Sequence, residues 1–139
     1  MKKFVLDTSV IVKWFSEDED DAEHANKLRR QILEGMCGII IPDLLFYELA
    51  NALRHNPNFT AGDVQVSLDS VFDMEFDVRK VDNSVIAAAI DIAFKFNVTV
   101  YDAYFLALSQ LESKPFVTAD YKFSSRIKGF KDIVNLNEI

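Results

Sequence analysis

The 139 residues are half hydrophobic and 27% charged, as is ordinary for a soluble globular protein, and only 4 Gly and 3 Pro leave little room for linkers or a long turn-rich all-β fold. No apolar run approaches the roughly 18 residues of a membrane span, and the strand-like segment after Met1-Lys2-Lys3 is too short for a signal peptide's apolar region. The formal charge of −7 argues against a nucleic-acid partner, but Glu17, Asp18, Glu19, Asp20, Asp21 and Glu23 concentrate it in one stretch, while Lys122, Arg126, Lys128 and Lys131 follow Asp120.

Phe4-Val5-Leu6 reads as a short buried strand, and Asp7-Thr8-Ser9 as the N-cap of a helix over Val10 to Phe15. The acidic stretch is expected to open a second helix to about Leu33, acids at the favourable end and Lys27, Arg29 and Arg30 further along, with Gly35 ending it. Cys37, alone in the chain, makes no internal disulfide or thiolate cluster; a small core filler in a reducing cytoplasm is expected. Gly38 to Ile41 is a β-branched strand stopped by Pro42. Asp43 to about His55 is helical, and after the loop Asn56-Pro57-Asn58, Thr60 caps a helix to about Phe72. Phe76 to Val81 alternates like a strand near a sheet edge, since one face carries charge. Ser84 to Phe96 is apolar nearly all round, which predicts a buried helix. A helix from Tyr101 to about Glu112, a strand at Phe116 to Thr118, a short turn or helix through Arg126 and a fifth strand at Ile133 to Leu136 complete the pattern. With no repeat and no boundary, residues 1–139 are expected to form one α/β domain, a mostly parallel sheet of four or five strands covered by helices on both faces. Sites in such sheets lie beyond the carboxyl ends of the strands.

Four carboxylates interrupt this pattern where apolar or small residues are the norm. Asp7 ends the first strand, Glu48 breaks Leu44-Leu45-Phe46-Tyr47-Glu48-Leu49-Ala50, Asp102 opens an apolar helix and Asp120 closes Phe116-Val117-Thr118-Ala119-Asp120. Taken alone, Asp7 reads more readily as a helix cap, Asp120 as a turn residue and Asp102 as an acid favoured by a helix dipole. The face of Asp102 continues through Phe105, Leu106 and Ser109, however, which turns its carboxylate inward. Glu48 shares only a narrow polar stripe with Asn51 and His55; Asn51 could support it, and His55 is expected near the exposed helix end. Acids gathered beside a core repel unless a cation neutralises them, and hard divalent ions bound by oxygen, Mg²⁺ or Mn²⁺, meet that need. Thr118 faces away from Val117 and could present its hydroxyl beside Asp120. No Gly-rich phosphate loop, H-E-x-x-H or G-x-S-x-G is present.

The blocks Phe4-Val5-Leu6-Asp7-Thr8-Ser9, Tyr47-Glu48-Leu49-Ala50-Asn51-Ala52-Leu53, Val100-Tyr101-Asp102-Ala103-Tyr104-Phe105-Leu106-Ala107-Leu108 and Phe116-Val117-Thr118-Ala119-Asp120, in this order, resemble the PIN-domain ribonucleases over nearly the whole chain, most closely the VapC-type toxins of toxin–antitoxin pairs. That resemblance implies a three-layer α/β/α fold and an acidic quartet of Asp7, Glu48, Asp102 and Asp120 around one or two Mg²⁺ or Mn²⁺ ions. Asp7 and Asp102 stand as principal ligands, Asp120 binds a second ion or acts through water, and Thr8, Asn51 and Thr118 support them. It further implies hydrolytic cleavage of RNA, a homodimer, and a cognate antitoxin whose tail occludes the site. The acidic run and the modest number of basic residues depart from an avid RNA binder. A non-catalytic binding module of the same fold stays open as a rival. A phosphate-handling aspartate enzyme or receiver is a weaker one: Ser9 stands where a dehalogenase-type phosphatase needs its second Asp, and no paired acids after the first strand or lysine after a late strand mark a receiver.

Overall fold

The structure, a computed structural model, describes residues 1–16 and 20–139; the first three acids of the run, Glu17 to Glu19, lie outside the described residues. Five strands, β1 (Lys2–Leu6), β2 (Cys37–Pro42), β3 (Asp77–Arg79), β4 (Phe116–Thr118) and β5 (Ile133–Asn135), form one sheet in the order β3-β2-β1-β4-β5. Every pairing is parallel, with Phe4 opposite Ile39, Leu6 opposite Val117 and Thr118 opposite Asn135. Parallel neighbours need crossovers, and helices supply them: α1 (Thr8–Val12), α2 (Ala22–Leu33), α3 (Leu44–Arg54), α4 (Ala61–Phe72), α5 (Asn83–Phe96), α6 (Val100–Glu112) and α7 (Tyr121–Arg126). Right-handed crossovers put α1 to α4 on one face and α5 to α7 on the other. The result is the expected three-layer α/β/α architecture.

Both faces being covered, inner strand residues bury regardless of direction: Val5, Leu6, Ile41, Phe116 and Val117 are all fully buried. On α3, Leu45, Leu49 and Leu53 recur one turn apart, 0–1% exposed, each contributing about 1.5–3 kcal/mol by leaving water. Helix α6 is central, with every residue from Ala103 to Ser109 buried. Cys37 is buried, as expected of a core filler. Strand β3 is the predicted edge, blunted by Arg79, which pairs with Asp77 at 2.9 Å and with Glu112. No helix among the described residues is long and apolar enough to cross a membrane.

Two expectations need correction. The helix after Ser9 is α-helical only to Val12 and tightens to a 3-10 turn over Lys13–Phe15, seating Trp14 so that its Nε1 donates to the Ala25 carbonyl at 2.8 Å. Helix α5 is not buried all round: Val85, Ala89, Ile92 and Ala93 face inward, but Phe94 is 85% exposed and Ile90 41%. Apolar periodicity identifies residues that gain by leaving water, and one side of α5 finds its partner in α6 while Ile90 and Phe94 on the other stay uncovered among the described residues.

The order β3-β2-β1-β4-β5 reverses direction at β1, the point where crossovers leave to opposite faces and a crevice opens at the carboxyl ends. Asp7 directly follows β1, and Asp120 follows β4 by two residues.

Candidate functional site

Asp7 occupies the N-cap position of α1 but does not cap it: its side chain takes no hydrogen bond from the helix's first N–H groups. Instead Oδ2 accepts two hydroxyl hydrogen bonds, from Ser9 Oγ at 2.7 Å and from Thr118 Oγ1 at 2.8 Å. Each hydroxyl is held in turn from behind, Ser9 Oγ accepting the Ala119 N–H at 2.9 Å and Thr118 Oγ1 the Asp120 N–H at 3.0 Å. A hydroxyl has one proton, and both protons are committed to Asp7, so the 3.4 Å approach of Ser9 Oγ to Thr118 Oγ1 is a contact between two acceptors. Among the described residues no hydrogen bond reaches Asp7 Oδ1. The carboxyl is 8% exposed, and burial pushes its pKa up to about 7; the two hydroxyls pull it down, and the charges of Asp102 and Glu48 push it up further.

The other three acids come from three separate elements. Glu48, half-buried on α3, accepts a hydrogen bond on Oε1 from Thr8 Oγ1 at 2.7 Å, which ties α3 to the start of α1. Burial raises its pKa, the Thr8 hydroxyl opposes that, and Asp102 adds to it. Asp102, half-buried, lies in the first turn of α6, where its N–H donates to the capping Thr99 Oγ1 at 3.1 Å; burial and then the Asp120 charge raise its pKa. Asp120 caps α7, its Oδ1 accepting from the Phe123 N–H at 3.0 Å.

These charge influences link the quartet into one group, with Asp102 acting on Asp7 and Glu48 and Asp120 acting on Asp102. Of the remaining predicted residues, Thr8 and Thr118 stand directly behind the acids. Asn51 does not: it is exposed and lines a neighbouring groove with Phe46, Ala50 and Arg54, because one further turn carries the α3 stripe out to solvent. Ser9 went unrecognised in the sequence, although a hydroxyl two residues after an aspartate is a common local hydrogen-bonding spacing.

Among the described residues, no group of three or more Asp, Glu, His or Cys side chains is placed so as to hold a metal ion by itself. Mg²⁺ keeps several of its waters and does not require an all-protein cage. The donor set fits such an ion: it is all oxygen, and the most buried member keeps one oxygen clear of protein donors. Beside the acids lies a cleft of about 430 Å³ lined by Asn97, Val98, Thr99, Asp102, Asp120, Lys122, Phe123 and Arg126.

Comparison with protein families matches residues 4–128 to the PIN domain. The chain belongs to the PIN-domain family. Solved structures share this PIN fold at low identity. DNA-bound VapBC from Salmonella typhimurium superposes with a TM-score of 0.71 at 16% identity, covering 98% of this chain and 99% of that one. The Mycobacterium tuberculosis VapC20 toxin, described as cleaving the sarcin–ricin loop, gives 0.71 at 14% identity, over 94% and 98% of the two chains. FitAcB from Neisseria gonorrhoeae gives 0.65 at 19% identity, over 95% of each. Comparison with curated protein sequences gave no match.

Proposed function

We propose that this PIN domain is a Mg²⁺- or Mn²⁺-dependent endoribonuclease, the toxin component of a type II toxin–antitoxin pair. The observation that carries the reading is Asp7: a buried carboxylate at the sheet's switch point, braced on one oxygen by two hydroxyls and electrostatically coupled to Glu48 and Asp102. Capping explains neither its burial nor its partners. Asp7, Glu48 and Asp102 are the residues to hold one ion, with Asp120 holding a second or acting through water. When bound, such an ion supplies Lewis-acid chemistry, lowering the pKa of a water and neutralising charge on phosphate oxygens. The chain's own residues position and polarise. Ser9 and Thr118 fix the Asp7 carboxylate through Oδ2 and leave Oδ1 to a ligand, Thr8 fixes Glu48, and the half-buried setting of Glu48 and Asp102 strengthens their pull on a cation.

The partners follow the same reading. RNA is the substrate in a cytoplasmic setting, and an antitoxin is the inhibitory partner, since several structures of this fold are toxin–antitoxin complexes. The exposed apolar side chains of Tyr47, Val81 and Tyr101, which line one shallow groove, favour a second copy of the chain across that surface.

The test is incubation with a mixed RNA pool and Mg²⁺ or Mn²⁺. Internal cleavage leaving 5′-phosphates is expected, and its loss in excess EDTA and in Asp7→Asn or Asp102→Asn. Full activity of both variants, or undiminished cleavage in EDTA, overturns the mechanism. The open arrangement of the acids favours one second reading, a binding module without turnover. Metal-dependent RNA binding with no cleavage under any ion would establish it.

A further inference from the structure

The basic residues after Asp120 play no part in bracing the acids, yet α7 presents two of them in a fixed direction. Phe123 and Ile127, one turn apart, are 5% and 1% exposed; Phe123 meets Phe116 edge-on with ring centroids 6.4 Å apart. Lys122 and Arg126, each one residue earlier, form the neighbouring stripe, and both are exposed and line the cleft that holds Asp102 and Asp120. With Phe123 and Ile127 locked in the core, that stripe cannot turn away from the cleft without unpacking the helix.

The cleft therefore carries two cations and two carboxylates. Among the described residues neither Lys122 nor Arg126 is ion-paired with an acid, although Arg79 shows that this chain pairs such groups where they meet. Opposite charges kept apart in one cleft suit a ligand that brings both signs, a phosphodiester chain with its divalent cation. A chain of net charge −7 gains little from long-range attraction to a polyanion, so contact residues must supply the binding. Lys offers a point charge and Arg a planar fork that fits phosphate oxygens, about 6 Å apart along the helix axis, a span suited to successive phosphates of one extended strand.

We infer that Lys122 and Arg126 grip neighbouring backbone phosphates of a single RNA strand and lay it against Asp102 and Asp120. This deepens the nuclease reading and rests on it for the identity of the strand. The test is fluorescence anisotropy with a short single-stranded RNA, the full chain carrying Asp7→Asn, Mg²⁺ present, across a salt series. Lys122→Gln and Arg126→Gln should each reduce the slope of log K against log[salt] by about 0.7, and the pair by about 1.4, as for lost single-strand phosphate contacts. Lys27→Gln, on the exposed surface of α2, should leave the slope unchanged. The same series on the chain with native Asp7, Ca²⁺ replacing Mg²⁺, removes any dependence on the folding of the Asp7 variant. With native Asp7 and Mg²⁺, the double substitution should raise KM while largely sparing kcat. An unchanged slope in the double variant overturns the proposal and leaves these cations to an acidic protein partner. Altered slopes in a chain that cleaves no RNA would sink the nuclease reading while sustaining the phosphate grip.

Discussion

Two helix starts in this molecule use the same residue types to opposite ends. At the start of α4, Thr60 and Asp63 form a reciprocal capping box, the Thr60 N–H donating to Asp63 Oδ2 at 2.8 Å and the Asp63 N–H to Thr60 Oγ1 at 3.2 Å. Those hydrogen bonds, the backbone one foremost, hold the exposed Asp63 carboxyl below its ordinary range. At the start of α1, Asp7 stands in the cap position with hydroxyl residues beside it, but the carboxylate ignores the helix, is buried, and is pushed up to about 7. Local chemistry satisfies the first site; the second is left needing a charge from outside. The difference marks which acid serves the fold and which is held at a cost to it.

The sharpest way to break that comparison is Asp7→Asn. A carboxyl whose folded pKa lies above its unfolded value of 3.8 contributes stability that is intact below about pH 4 and is lost as pH rises through about 7. A rise from 3.8 to about 7 corresponds to roughly 4 kcal/mol at about 1.4 kcal/mol per tenfold change in proton affinity, an upper figure because the amide is also desolvated. Without metal, Asp7→Asn should therefore raise the denaturation midpoint at pH 8, progressively less toward pH 4; with Mg²⁺ or Mn²⁺ present it should lower RNA cleavage by roughly 10³-fold or more. Asp63 runs the other way, its contribution being present above its unfolded pKa and lost as acid is added. A pH–stability curve identical in wild type and variant would show that burial of Asp7 carries no such cost.

The next effect is metal rescue. An ion that binds only the folded chain stabilises it by about 2.7 kcal/mol at a hundred times its Kd, so Mg²⁺ or Mn²⁺ should raise the midpoint of the wild type and not of Asp7→Asn. With Oδ2 committed to Ser9 and Thr118, proton and metal compete for Oδ1; metal affinity should fall about tenfold per pH unit below about 7. Calorimetric titration between pH 5.5 and about 8 checks this. Thr118→Val, close to isosteric, removes one hydroxyl from Asp7 and strands the Asp120 N–H. A loss of 10- to 100-fold in metal affinity is expected, about 1.4–2.7 kcal/mol, with little change in overall shape.

The unequal legibility of the two helix starts has a physical basis. Strands such as Gly38 to Ile41 and the Leu45, Leu49, Leu53 stripe announce themselves because burial imposes a period on the residues. The parallel order then forces Asp7 and Asp120 to one sheet edge, so the acids were legible as soon as the alternation was. What a hydroxyl beside an acid is bonded to depends on a strand more than a hundred residues away, and Ser9 therefore read as part of a cap. The same blindness to partners hid the open face of α5, where Phe94 is apolar without being covered, and placed Asn51 a turn too close to the acids.

The smallest expected effect closes the comparison from the other side. Thr60→Ala removes the side-chain half of the α4 capping box, and its N-cap change should cost about 1 kcal/mol, within a range of roughly 0.5–2. For a chain of this size that is a fall of only a few degrees, about 3–5 °C, in Tm. Because α4 packs chiefly on α3 among the described residues, cleavage at saturating RNA and the metal titration should both match wild type. Thr118→Val and Thr60→Ala each delete a hydroxyl that bonds an aspartate, yet only the first should change metal affinity. Equal effects of the two substitutions on metal binding would mean that hydroxyl loss acts through general destabilisation, and the distinction between a capping acid and a braced one would fall with it.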